Sequence, residues 1–178
     1  MLALLIGSVL ILCALEAALH TARLSMLALN EPPIPTTIEV GNSPDVIDKF
    51  NALVKAGRNE AALLLANRVS GTPAEELARL RSLPSWRAHI RAAHTVPREV
   101  MGVRNYAFDP GRFKRLTTPI LFLLGSESPP VYQAATCTLQ GSPPHSRIAR
   151  STGQGLDAAL TAPHLLRQAV VNFFRKDR

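Results

Sequence analysis

Ser8 is the residue whose setting in this sequence most readily gives it chemistry. It lies in Ile6-Gly7-Ser8-Val9-Leu10, between a short apolar run, Leu2 to Ile6, and a longer one, Val9 to Leu19. The first is of strand length and the second of helix length. A small-residue pair between a buried strand and a helix permits a sharp turn that lifts one side chain, here a hydroxyl, out of the core. Such a hydroxyl is a competent nucleophile only with a proton acceptor in reach, itself oriented by an acid. Carboxylates stand at the ends of two later apolar runs: Glu31 after Ser25 to Asn30, and Glu127 after Pro119 to Leu124. A last loop, Gly153 to Asp157, follows the short run Arg147 to Arg150. Serine, acid and late loop stand in the chain order of a hydrolytic triad whose third member is histidine. Among His20, His89, His94, His145 and His164, none falls in that loop. Cys13 and Cys137 are too few for a disulfide framework and lack metal-ligand spacing; they read as buried thiols of a reducing compartment. Neither a metal nor a cofactor is expected.

The elements that must position these residues follow from periodicity and punctuation. The run Val9 to His20 is apolar on nearly every side, as suits a helix buried against a sheet. With the strands on either side of it, it forms a βαβ unit, so those strands are expected to be parallel. From Pro32 to Leu116 no strand is evident. Helices are expected from Ser43-Pro44 to Gly57, from Glu60 to Val69, after the capping box Thr72-Pro73-Ala74-Glu75, from Ser85, and from Pro97 to about Tyr106. Strand character returns at Pro119 to Leu124. A helix from Ser128-Pro129-Pro130, an edge strand at Arg147 to Arg150 with charged outward positions, and a final helix from Thr161-Ala162-Pro163 complete the chain. Parallel α/β sheets place ligands beyond the carboxyl ends of their strands, where Ser8, Glu31 and Glu127 all fall.

Composition narrows the function classes. A chain of 178 residues, 47% hydrophobic and 19% charged, has the make-up of one globular domain. Lys and Arg outnumber Asp and Glu by 20 to 13, and nine of the bases lie between Arg79 and Arg115. They are spaced along expected helices without the aromatic interleaving or motif of a nucleic-acid binder, so they read as a solvated face. The first nineteen residues are apolar enough to be weighed as a membrane segment. No Lys or Arg precedes the run, Gly7-Ser8 interrupts it and Glu16 sits within it, which argues for a protein without a membrane role, placed in the cytoplasm.

Seven stretches carry a further resemblance: CALEAAL (Cys13 to Leu19), NEPPIP (Asn30 to Pro35), EELARLRSLPSW (Glu75 to Trp86), AAHTVPRE (Ala92 to Glu99), FDPGRF (Phe108 to Phe113), LTTPILFLLGSESPP (Leu116 to Pro130) and GQGLDAALTAP (Gly153 to Pro163). In that order and spacing the sequence resembles the C-terminal two-thirds of a bacterial α/β-hydrolase-fold serine hydrolase. The resemblance implies an α/β class: a partial α/β-hydrolase fold with a parallel sheet of about four strands. Residues 1–31 would be the strand-elbow-helix-strand core, 32–116 a helical lid, and 117–178 the rest of the core.

It also implies roles. Ser8 matches the nucleophile of the elbow G-x-S-x-G, although Ile6 and Leu10 replace both flanking glycines, which should widen or distort the turn. Val9 would supply a backbone oxyanion donor. Glu127 matches the acid, with Glu31 the alternative. The histidine position falls on Leu156, which cannot accept a proton. His94, in the lid, is a candidate to face the pocket, though a structural role is the plainer reading of it. The strands that precede the elbow in the family are not in this chain, so the first strand would present an open apolar edge suited to self-association. Three readings follow: a hydrolase of ester-like or related small acyl substrates by ancestry, catalytically impaired; a truncated, non-catalytic remnant serving as a binding or partner-dependent module; and a small membrane-anchored protein.

Overall fold

The computed structural model describes residues 2–6, 8–34 and 44–176, with no side-chain description for 2–6, 8, 44 and 176. Gly7, Pro35 and Ser43, invoked above, lie outside the described residues. Four strands run parallel in the order β1-β2-β3-β4: β1 Leu2–Ile6, β2 Met26–Asn30, β3 Ile120–Gly125 and β4 Ser146–Ser151. Their register sets Ile6 beside Asn30, Asn30 beside Leu123, and Gly125 beside Ser151, so all four carboxyl ends meet along one edge.

Strand alternation divides the core. Leu27, Leu29, Ile120 and Phe122 point to the face covered by α1 (Ser8–His20), where Ile11, Leu12 and Leu15 meet them. Met26, Ala28, Leu121 and Leu123 point to the opposite face, which packs on Leu166, Val170 and Phe173. This two-sided burial is why β2 and β3 read as unbroken apolar runs.

Between β2 and β3 the described residues form six helices: α2 Pro44–Lys55, α3 Asn59–Val69, α4 Ala74–Ser82, α5 Trp86–Ala92, α6 Val96–Arg104 and α7 Pro110–Phe113, with a 3-10 turn at Ala93–Thr95. The C-terminal region adds α8 Pro130–Gln140, α9 Ala158–Thr161 and α10 Pro163–Lys176. The short helices α7 and α9 are additions to the sequence expectation. Glu16 of α1 ties this helical region to the core. It accepts from the Tyr106 hydroxyl at 2.7 Å and pairs with both terminal nitrogens of Arg112, at 3.0 and 2.6 Å. Tyr106 first, then Arg112, holds the Glu16 carboxyl below the usual carboxylate range against the opposing effect of burial.

Three local expectations are corrected. The capping box does not close: α4 begins one residue later, with Pro73 at the cap, and the Thr72 hydroxyl is buried without a partner. Helix α1 is not covered all round, because Leu10 (60% exposed), Cys13, Ala17 and His20 form an outward stripe at spacings of three and four. Leu10 at the elbow's second glycine position therefore points to solvent and does not press on the strand. Both cysteines are free and exposed, not buried. Among the described residues no helix is long and apolar enough to cross a membrane.

Candidate functional site

Glu31 is where the chain first departs from regular geometry at the carboxyl edge. Its N–H still bonds to Leu123 O at 3.1 Å, continuing the sheet, but its φ is 50°, the one left-handed non-glycine among the described residues. A left-handed backbone costs an L-residue about 1–2 kcal/mol, so the surroundings must hold it there. Pro32 does not supply that constraint, since a following proline favours extended backbone at negative φ. The carboxyl supplies it: Oε1 accepts from Gly125 N at 2.9 Å and from Ser128 Oγ at 2.7 Å. The side chain is 3% exposed, and its second oxygen, Oε2, is buried with no hydrogen-bond partner. Burial raises its pKa, and nearby Glu76 adds to this against the two hydrogen bonds.

The turn beyond β3 and the last loop close around that carboxyl. A methyl group on Gly125 would stand 2.6 Å from Ser128 Oγ, 2.7 Å from Gly155 O and closer still to Gln154 O, so only glycine fits. Gly153, with φ 69°, turns the chain after β4, and its N–H bonds to Ser126 Oγ at 2.8 Å. Glu127 N donates to Gln154 O at 2.9 Å. Three residues on, Asp157 donates its backbone N–H to Glu76 Oε1 at 3.0 Å. Glu76 comes from α4, so this bond joins the helical region to the core. A methyl group on Gly155 would collide with the same Glu76 carboxyl. Burial first, then the charges of Glu76 and Glu31, push the Asp157 carboxyl up to about 7, and its Oδ2 is buried without a partner.

Over these groups lies a cavity of about 400 Å³. The sheet edge gives it Asn30, Glu31 and Pro33; α3 gives Leu63 and Asn67; α4 gives Leu80; α5 gives Trp86 and His89; α8 gives Tyr132. The last loop and α9 give Leu156, Asp157, Ala159 and Leu160. The wall is mostly apolar with a few convergent polar groups, as in small-molecule sites generally. Burial raises the Tyr132 phenol, whose hydroxyl bonds with Ser70. Among the described residues no three His, Cys, Asp or Glu side chains come together as a metal-binding group.

The residues singled out in the sequence fall differently. Ser8 opens α1 at the shared edge, and its side chain lies outside the described residues. Val9 lies in the first helical turn, whose N–H groups have no acceptor within the helix. Glu31 and Leu156 both line the cavity. Glu127 does not join them: it is exposed and accepts from Ser126 Oγ at 3.0 Å. His94 is also exposed, its Nδ1 2.8 Å from Arg91 O, while His89, one helix earlier, faces the cavity. Sequence reasoning missed Glu76, Asp157 and Tyr132. Glu76 carried a signal: it shares a helical face with Leu80, one turn on, and so points inward with it.

No family model and no curated protein matches the sequence. Solved structures do match in fold. An α/β hydrolase from Sphaerobacter thermophilus superposes with TM-score 0.69 at 22% identity, over 93% of this chain and 65% of that one. A hydrolase from Oleispira antarctica gives 0.63 at 18%, over 96% and 63%. The 2-hydroxy-6-oxo-6-phenylhexa-2,4-dienoate hydrolase of a Rhodococcus species gives 0.63 at 16%, over 98% and 63%. The chain thus has a partial α/β-hydrolase fold and spans about 65% of the length of the first of these structures.

Proposed function

We propose that this chain is a hydrolase-fold protein that binds a small, largely apolar acyl compound in the cavity beside Glu31, and that its serine hydrolase chemistry is impaired. Ser8 takes the nucleophile position, the Val9 N–H the oxyanion position, and Glu31 the acid position ahead of Glu127. The observation that carries the reading is that Leu156 and Glu31 line one cavity. The side chain where a proton acceptor is needed is aliphatic, and the acid that would orient that acceptor is buried with one oxygen unpartnered. Without a base the serine hydroxyl is a weak nucleophile, and loss of the histidine alone costs several orders of magnitude in rate.

Covalent labelling tests this. A fluorophosphonate probe should modify Ser8 slowly or not at all in the parent protein, and at least about tenfold faster in Leu156→His. Rapid labelling of the parent would contradict the impairment; no labelling of Ser8 in a folded Leu156→His would contradict the assignment of the site. The second outcome favours the alternative, a non-catalytic binding module, which the aliphatic Leu156 also supports. A cytoplasmic location and self-association through the β1 edge belong to the same reading, and fractionation and sedimentation velocity test them.

A further inference from the structure

Two carboxyls line the cavity from separate elements, Glu31 beyond β2 and Asp157 from the last loop, and a third, Glu76 from α4, accepts the Asp157 backbone N–H behind them. Glu31 and Glu76 are each 3% exposed. Glu31 and Asp157 both line the cavity, and no Lys or Arg is among its described lining residues. The Glu31 carboxyl has one oxygen engaged by Gly125 and Ser128, while its second, Oε2, is buried without a donor; Asp157 Oδ2 is buried without one too. A buried carboxylate oxygen without a donor is costly, and such sites are ordinarily paired. Among the described lining residues the one base is the His89 imidazole, although the protein carries a net charge of +7, so its surplus of Lys and Arg is deployed elsewhere.

The same cavity presents aromatic and aliphatic surface. Trp86 is held by its indole N–H, which donates to Glu60 at 3.2 Å, and Tyr132 by Ser70. Leu63, Leu80, Leu156 and Leu160 complete the apolar wall. A divalent metal ion needs several oxygen ligands around it and gains nothing from such a wall. An ammonium group on an apolar body matches both halves, with N–H donors for the orphan oxygens and a cation near aromatic rings.

We propose that the cavity is a binding site for a small organic ammonium compound, its cationic head beside the Glu31 and Asp157 carboxyls and its apolar body against Trp86, Tyr132 and the leucines. This concerns the same cavity but binding alone, so it stands whether or not Ser8 reacts. General electrostatics works against it, since a basic protein repels cations at long range. Cation-selective uptake would therefore report the local carboxyls.

Trp86 is the single tryptophan of the chain, so its fluorescence reports on this cavity. Titration of the intact protein with phenethylammonium should give a saturable change, with half-saturation at least about tenfold below that of phenethyl alcohol, the neutral counterpart. With 3-phenylpropionate, the anionic counterpart, no saturation is expected. Asp157→Asn should weaken phenethylammonium at least about tenfold and leave phenethyl alcohol within about twofold. Glu31→Gln, which keeps an acceptor for Gly125 and Ser128, should do the same, and thermal melting confirms that each variant is folded. Equal affinity for amine and alcohol, no saturable response to the amine, or undiminished amine binding in both variants would each overturn the proposal. Fluorophosphonate labelling of Ser8 in Leu156→His is read separately: amine selectivity without labelling of that variant sinks only the hydrolase reading, and its labelling without amine selectivity sinks only this inference.

Discussion

Glu31 and Asp157 place opposite demands on the fold. The Glu31 carboxyl satisfies two buried donors at once, Gly125 N–H and Ser128 O–H. Glu31→Ala leaves both unsatisfied and should cost on the order of 2–4 kcal/mol in denaturant unfolding, while Glu31→Gln retains an acceptor oxygen and should cost less than half as much. Asp157 is a liability when charged. Its folded pKa of about 7 lies above the ordinary value of 3.8, so the native state holds this proton more tightly than the unfolded chain. The sign follows: no penalty applies below about pH 4, stability is lost as pH rises toward 7, and the full cost, on the order of 3–4 kcal/mol, is present above it. Asp157→Asn should therefore match the parent in melting temperature near pH 4 and exceed it by a growing margin up to pH 7 to 8. A constant difference across that range would show that Asp157 ionises normally. Glu76 and Asp157 were hard to read from sequence because a carboxylate on an expected helix or loop is ordinarily solvated. Only the shared face of Glu76 with Leu80 pointed inward.

At the scale of elements, two glycines separate crowding from backbone conformation. Gly125 has a φ that any residue adopts, but a methyl group there meets Ser128 and the Gln154 and Gly155 carbonyls. Gly153 has open space around it and a φ of 69°. Gly153→Ala should cost about 1 kcal/mol, the price of the left-handed backbone alone, and leave the cavity intact. Gly125→Ala should cost about 3 kcal/mol or more and disturb Trp86 fluorescence, because the last loop must move. Equal costs would refute this account of the edge. The strands and long helices were legible because their signals are local: continuous apolar runs for β2 and β3, and proline or serine punctuation for α2, α5, α8 and α10. The misreadings arose where tertiary placement decides. The Thr72 capping box yielded to a helix start one residue later, and α1, apolar on nearly every side, is covered on only part of its surface. Composition cannot say which face of such a helix a sheet will take.

For the molecule as a whole, the order of the motifs carried the fold, and the partial α/β-hydrolase likeness agrees with the seven stretches noted in the sequence. The site was only half legible. The positions of Ser8 and Leu156 follow from motif order, but the preference for Glu127 over Glu31 rested on a motif match. The structure buries Glu31 in the cavity wall and leaves Glu127 in solvent. Under the proposed function the site keeps its acid and nucleophile positions and lacks its base at residue 156. Hydrolysis of p-nitrophenyl butyrate by the parent, by Leu156→His and by Leu156→His with Ser8→Ala tests it most directly. The expected kcat/KM for Leu156→His is at least about tenfold above the parent, and the added Ser8→Ala should abolish the gain. No increase in a folded Leu156→His, or an increase that survives loss of the Ser8 hydroxyl, would contradict it.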